Sequence, residues 1–201
     1  MHCTARHLLW AVLAFCSFPA QAANGGGILV FGAARGTGLE VVRVLAARGE
    51  AVAAFVRPTS ATAELESLKV RVVVGDALDR EQVASAVRAG RFRAIISTLG
   101  RVRNDTALPP DVIGTKNIVD AAKSAGIKRL IVVTIVGPGQ LTNNPRSGII
   151  KLSLEPEPTG PVTRGDLADM VVLCLDRRNS VKKIYQVIGD DPKATVRMDR
   201  Q

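Results

Sequence analysis

The sequence predicts an α/β protein, built as one domain around a doubly wound parallel sheet. Three observations carry that expectation. From Gly27 onward, short β-branched apolar runs alternate with stretches of helical period, the pattern of successive βαβ units. The apolar runs are nearly continuous rather than alternating, as in strands covered on both faces. The first of them leads straight into a glycine-rich turn, Gly32-Ala33-Ala34-Arg35-Gly36-Thr37-Gly38, that opens a helical stretch.

Taken in order, the strands are expected at residues 27–31, 51–57, 70–74, 92–98 and 128–136, with helices between them at 37–48, 61–68, 80–89 and about 110–125. Gly49, Gly90 and Gly126 stand at helix ends, where glycine serves as a left-handed cap. Beyond Gly137 the pattern changes. Residues 137–145 are turn-rich, 149–154 read as a short strand, and 155–161 are broken by Pro156, Pro158 and Pro161. Thr163-Arg164-Gly165-Asp166 resembles a capping box with Asp in place of the usual Glu, starting a helix that runs to about Asp176. Residues 183–188 read as a last strand and 190–201 as a polar tail. No internal repeat or low-complexity segment divides residues 23–189, so these are expected to form one Rossmann-like domain.

Residues 1–22 read as a secretory signal: Arg6, an apolar run over 8–18, and the small-residue site Ala20-Gln21-Ala22. The run is shorter than the roughly 20 residues that span a bilayer. The expectation is a periplasmic or secreted chain after cleavage; the alternative is a cytoplasmic protein whose start is assigned too far upstream. Both histidines (His2, His7), Trp10 and two of the three cysteines (Cys3, Cys16) fall in this stretch. The processed chain would hold no histidine and one cysteine, Cys174, which excludes Ser/His/Asp and Cys/His triads, His-ligated zinc and an internal disulfide.

The net charge is +9, and subtracting Arg6 leaves +8 on the processed chain. Such a balance suits nucleic acid, an anionic surface or a phosphorylated ligand. Past residue 22 the aromatic side chains are Phe31, Phe55, Phe92 and Tyr185, too few for a base-stacking platform, so nucleic acid is not an expected partner.

The glycine turn carries the chemistry. Gly32 permits the tight turn, Gly36 lets the backbone approach a pyrophosphate, and Gly38 lets the helix pack close to the sheet. The anion would rest on the free N–H groups and positive dipole end of the helix that starts near Thr37. The second strand should then choose the nucleotide. Sites for NAD usually end that strand with an acid for the ribose 2′-hydroxyl. Residues 51–57 contain no acid and end in Arg57, and Arg35 is a second cation within the turn. Two guanidinium groups suit a 2′-phosphate, so NADP(H) is favoured over NAD(H).

These residues resemble the short-chain dehydrogenase/reductase superfamily, in particular its atypical NAD(P)-binding branch, which includes NmrA-like proteins and biliverdin reductase B. The resemblance spans residues 27–189. It includes Gly75-Asp76-Ala77-Leu78-Asp79 after the third strand and Ser97-Thr98-Leu99-Gly100 after the fourth. It continues through Asp111-Val112-Ile113-Gly114-Thr115-Lys116-Asn117 and the stretch from Ala121 to Thr134. It implies a cofactor held by Gly32, Ala33, Arg35, Gly36, Thr37, Gly38 and Arg57, with Asp76 and Ala77 at the adenine and Ser97, Thr98, Leu99 and Gly100 lining the site. Asp76 also reads as a simple turn cap.

Two departures stand out. The turn reads Gly-x-x-x-Gly-x-Gly rather than the branch's usual Gly-x-x-Gly-x-x-Gly, a spacing closer to the superfamily's ordinary reductases, where a basic residue here accompanies NADP. After the fifth strand, Gly137-Pro138-Gly139-Gln140 follows at once, so one helix and one strand of the usual C-terminal half are expected to be missing. Tyr185 is the one tyrosine, and Gly189 rather than Lys stands four residues on, so the Tyr-x-x-x-Lys relay is absent. Thr134 is the hydroxyl nearest to the family's strand-end Ser/Thr and is the candidate catalytic residue.

Other groups read as structural. Cys174, in the apolar run 170–175, is expected to be a buried, inert thiol. Glu155 and Glu157 are separated by proline, and Asp166 and Asp169 belong to a helix start, so no metal site is expected. The leading expectation is an NADP(H)-binding atypical short-chain reductase transferring hydride to a small carbonyl, quinone or flavin-like acceptor. The alternative is a non-catalytic dinucleotide-binding sensor or scaffold that has lost the active-site segment, and a third is a polyanion-binding surface protein. Neither the acceptor nor the oligomeric state is legible.

Overall fold

The computed structural model describes residues 26–100, 110–134, 141–148, 150–154 and 160–189. The expected signal segment and polar tail lie outside these residues, as do Glu155 and Glu157. Five strands, β1 (Gly27–Phe31), β2 (Val52–Val56), β3 (Arg71–Val74), β4 (Phe92–Ser97) and β5 (Arg129–Val132), form one parallel sheet in the order β3-β2-β1-β4-β5. The chain winds outward through β2 and β3, then crosses back to add β4 and β5 on the other side of β1. The strand order therefore reverses between β1 and β4.

Helices α1 (Gly36–Ala47), α2 (Ala63–Ser67), α3 (Arg80–Arg88), α4 (Pro110–Ser124) and α5 (Arg164–Asp176) complete the layers. Because side chains alternate along a strand, β1 sends Ile28 and Val30 to one face and Leu29 and Phe31 to the other. The first face packs against Val42 and Leu45 of α1 and Ala168 and Val172 of α5. The second packs against Val83 and Val87 of α3 and Ile118 and Ala122 of α4. Each fully buried Val, Leu, Ile or Phe among them contributes about 1.5–3 kcal/mol, and the near-continuous apolar runs follow from this two-sided cover.

Glycine ends two helices as expected. At the end of α1, Gly49 adopts φ +73° and its N–H reaches Ala46 O at 2.9 Å, while the Glu50 N–H reaches Leu45 O at 3.0 Å. Gly126 closes α4 in the same way. Gly90 differs: it is not left-handed, and its small size is required because a Cβ would come within 2.7 Å of the Phe92 ring.

The C-terminal part is built from shorter pieces. β6 (Leu141–Thr142), in a stretch expected to be turns, pairs in parallel with β8 (Val162–Thr163), just before the expected helix start, and β7 (Ile150–Ser153) pairs antiparallel with β9 (Gln186–Gly189). The last strand thus begins at Gln186 rather than at residue 183. β5 ends at Val132, although the Val133 N–H still donates to Ser97 O at 2.8 Å, and residues 135–140, with the expected strand end at 136 and the turn after it, lie outside the described residues. No sixth strand joins the main sheet among the described residues. Among them, too, no helix is long and apolar enough to cross a membrane.

Helices α1 and α5 lie side by side and run the same way. Their first residues meet where Arg164 lies against Gly36, and their last turns meet through an Arg48–Asp176 ion pair of 2.6 Å. This pairing brings the start of α5 to the carboxyl end of the sheet.

Candidate functional site

The carboxyl ends of β1 and β4 flank the point where the strand order reverses, the place where open α/β sheets form a crevice. The turn after β1 is held by close packing. Gly32 has φ +78°, and a Cβ on Gly38 would fall 2.1 Å from Gly32 O and 2.5 Å from Thr98 Oγ1. No side chain fits there, so α1 starts directly on the backbone of the turn. Thr98 draws the strands together, its Oγ1 donating to Phe31 O at 2.9 Å and its N–H to the same oxygen at 3.0 Å.

Helix α1 begins at Gly36, one residue before the expected start, with φ +57°. Its N-cap, Arg35, offers no side-chain hydrogen bond, and its first turn contains no acid. The opening N–H groups of a helix have no intrahelical acceptor and carry the positive end of the dipole. An anion placed against this turn would satisfy both. Thr37 is buried and Ala33 fully so, and both support the turn from below.

Arg35 and Arg57 are exposed, and neither forms an ion pair among the described residues. Arg57 follows directly on β2, where no acid stands. Two further loops at this end of the sheet are braced from α4. Asn117 Nδ2 donates to Ala77 O at 3.0 Å and Leu78 O at 3.1 Å, fixing the loop after β3. At Gly114, a Cβ would meet Leu99 Cδ1 at 2.7 Å, so α4 presses on the loop after β4 as well. Asp76 Oδ1 accepts the Leu78 N–H at 2.9 Å, and the Asp76 N–H donates to Gln82 Oε1 at 3.0 Å, so Asp76 caps its own turn. Ser97 is fully buried, with its Oγ lacking a partner among the described residues. Gly100 and Thr134 are exposed just past β4 and β5.

Sequence reasoning did not foresee what the C-terminal part does here. Arg164, the first residue of α5, donates from Nη1 to Leu141 O at 3.1 Å and Asn143 Oδ1 at 2.7 Å, and its Nε lies 3.4 Å from where a Gly36 Cβ would stand. Asp166, buried in the next positions of α5, holds the segment below. Its carboxylate accepts from the Ser147 N–H at 2.9 Å, Ser147 Oγ at 2.8 Å, the Gly148 N–H at 3.0 Å and Thr163 Oγ1 at 2.8 Å. Burial pushes this carboxyl up, but the bonds from Ser147, Gly148 and Thr163 outweigh it and hold it below the usual carboxylate range. The expected capping box is thus half right. Thr163 Oγ1 accepts the Asp166 N–H at 3.0 Å, while Asp166 spends its carboxylate largely on residues 147–148. Arg146 completes the bracing, with Nε 3.0 Å from Asp169 and Nη2 3.2 Å from Glu40 of α1.

Tyr185 and Cys174 line a depression of about 200 Å³ with Leu152, Arg177 and Ser180, near the C-terminal end of α5 and so at the opposite end of the sheet from the glycine turn. Burial pushes the Cys174 thiol up, against the pull of Arg129, so the thiolate is disfavoured. Among the described residues no group of three His, Cys, Asp or Glu side chains could hold a metal ion.

Residues 32–137 match the model of a family described as NAD(P)H-binding. A 3-diazoavenalumate denitrifying reductase from a Streptomyces species is 39% identical over 117 residues, which cover 54% of this chain and 37% of that protein. This chain therefore spans little more than a third of that relative's length. YhfK of Bacillus subtilis, described as an uncharacterized sugar epimerase, is 27% identical over 184 residues, covering 71% of this chain and 85% of that one. The structure of ChuY, described as an anaerobillin reductase from Escherichia coli O157:H7, superposes with a TM-score of 0.71 at 25% identity, covering 84% of this chain and 99% of that one.

Proposed function

Because the chain belongs to the NAD(P)H-binding family, within the atypical short-chain dehydrogenases/reductases, we propose that it is an NADP(H)-dependent reductase acting on a small carbonyl, quinone or flavin-like acceptor. The observation that carries the proposal is the uncapped start of α1, seated on Gly32 and Gly38, with Arg35 and Arg57, neither ion-paired among the described residues, at the same end of the sheet. The residues present fit a nucleotide with phosphates at both positions. The α1 N–H groups and Gly36 would take the pyrophosphate, Arg35 and Arg57 the 2′-phosphate, and the Ala77–Leu99 wall the adenine. When bound, the nicotinamide supplies the hydride.

The chain's own part is to orient the two reactants. Tyr185 is too far removed to serve as an acid at the crevice, so the proton taken up by the acceptor would come from solvent. Thr134, exposed past β5, is the hydroxyl available to bond an acceptor oxygen. Export directed by residues 1–22 belongs to the proposal as well, and cell fractionation with N-terminal sequencing of the product checks it.

A second reading, a non-catalytic dinucleotide-binding sensor or scaffold, is favoured by the absence of a Tyr–Lys relay. One experiment separates the two. The purified protein is titrated with NADPH and NADH, then assayed against quinones, flavins and small carbonyls. Saturable NADPH binding with hydride transfer supports the reductase. NADPH binding without turnover of any acceptor overturns the reductase in favour of the sensor.

A further inference from the structure

We infer that Arg164 is a phosphate-binding residue of the nucleotide site, supplied across the crevice by α5 to the pyrophosphate held at the start of α1. The inference rests on the dinucleotide reading above and adds a residue outside the glycine turn. Three features on the molecule carry it.

The first is position. Arg164 Nε and Cδ lie 3.4 and 3.7 Å from the point where a Cβ on Gly36 would stand, so the guanidinium stem covers the first residue of the uncapped helix. The second is the way it is held. Nη1 is tethered to Leu141 O and Asn143 Oδ1, while Nε and Nη2 donate to no described residue, and no acid among them pairs with the charge. Two other arginines beside α1 and α5 do find acids: Arg43 pairs with Glu40 and Glu64, and Arg146 with Glu40 and Asp169. A cation fixed by neutral acceptors keeps both its charge and its free fork for an incoming anion. The third is support. Asp166, two residues on, locks residues 147–148 onto α5, and this fixes the end of the segment that carries Asn143. The N–H groups of α1 and the guanidinium of α5 thus converge on one place from two elements, at the ends where those helices meet.

The consequence is a specific pattern of ligand dependence. Arg164 would act on any ligand carrying the pyrophosphate and on none that lacks it, whereas Arg57 would act on the 2′-phosphate. The test measures the affinities of NADPH, ADP-ribose and adenosine 2′-monophosphate for the full chain by calorimetry, alongside thermal unfolding. Arg164→Gln is expected to weaken NADPH and ADP-ribose about 10- to 100-fold, the range of a lost charge-assisted hydrogen bond, and to leave adenosine 2′-monophosphate within about twofold. Arg164→Lys should recover part of the loss.

Unchanged NADPH and ADP-ribose affinity in Arg164→Gln overturns the inference and leaves the dinucleotide reading standing. Equal weakening of all three ligands with a lower unfolding temperature overturns it in favour of a structural tether. Absence of binding of all three ligands by the wild-type chain overturns the dinucleotide reading itself, and the inference with it. Should Arg164→Gln fail to fold, Asn143→Ala loosens the guanidinium and keeps its charge. It is expected to weaken NADPH about 3- to 10-fold with adenosine 2′-monophosphate unchanged, and an unchanged NADPH affinity overturns the inference.

Discussion

The sheet of residues 27–132 and the short segments that surround α5 within residues 141–189 are held by different forces. In the first, β1 is covered on both faces by fully buried side chains, and pairing runs from β3 across to β5 with one register shift, between Gly27 and Ile28 where β1 meets β4. In the second, α5 buries Leu167, Ala168, Val171, Val172 and Leu175 in the same core, while the two- and four-residue strands around it are tied down by point contacts: Asp166 to residues 147–148, Arg146 to Glu40 and Asp169, Arg164 to Leu141 and Asn143. The sheet spreads its stability over many apolar contacts. The short segments around α5 depend instead on a few charged side chains.

Substitutions can break or sharpen this contrast. The largest effect is expected at Gly38, where a new Cβ would overlap Gly32 O at 2.1 Å, a backbone atom that cannot step aside. Gly38→Ala should destabilise the chain by about 3 kcal/mol or more, at the upper end of overpacking, and abolish saturable NADPH binding. Urea unfolding and fluorescence titration read the two effects. Wild-type stability and affinity in that variant would show that the close approach does not matter.

Next in size is Asp166→Ala, which strands the Ser147 and Gly148 donors and should cost about 2–4 kcal/mol. Its carboxyl is held below the ordinary range in the folded state, so its contribution is fully present above the unfolded value of about 3.9 and is lost as pH falls through the lower folded value. Urea unfolding between pH 6 and pH 2 should therefore show a wild-type loss below about pH 4 that Asp166→Asn lacks. Parallel pH profiles would contradict the assignment.

A smaller effect, confined to ligand choice, is expected at Arg57. Arg57→Ala should weaken NADPH about tenfold and leave NADH nearly unchanged, with no change in unfolding temperature. The smallest belongs to the Arg48–Asp176 pair, whose side chains are 42% and 43% exposed. Asp176→Asn should cost about 0.5 kcal/mol or less, measured by urea unfolding. Polar contacts thus differ in weight according to burial, and the pair at the solvent-exposed ends of α1 and α5 is the control for Asp166.

The same contrast governs what the sequence made legible. β1 stands at residues 27–31 as expected, and α3 and α4 end within a residue of expectation, because burial on both sides writes apolar runs and helical periods into the chain. Gly49 and Gly126 announced their caps for a local reason, the left-handed turn. Strands of two residues such as β6 and β8 have no period to read, and they form only because each finds the other. Gly90 misled because glycine also appears where a ring must pass close, here that of Phe92. Within the site, the turn and Thr98 could be read as a strand-to-helix junction, but Asp76 proved to be engaged in its own turn. Arg164 gave no signal, since its place against Gly36 depends on α5 lying beside α1, a fact of packing between distant stretches of chain.

Titration of the purified wild-type chain with NADPH and NADH, followed by the fluorescence of the reduced nicotinamide, tests whether the uncapped start of α1 and the Arg57 that follows β2 bind a 2′-phosphorylated nicotinamide dinucleotide. Saturable NADPH binding is expected, with NADH affinity at least about tenfold weaker. No saturable binding of either, or NADH binding as tightly as NADPH, would contradict it.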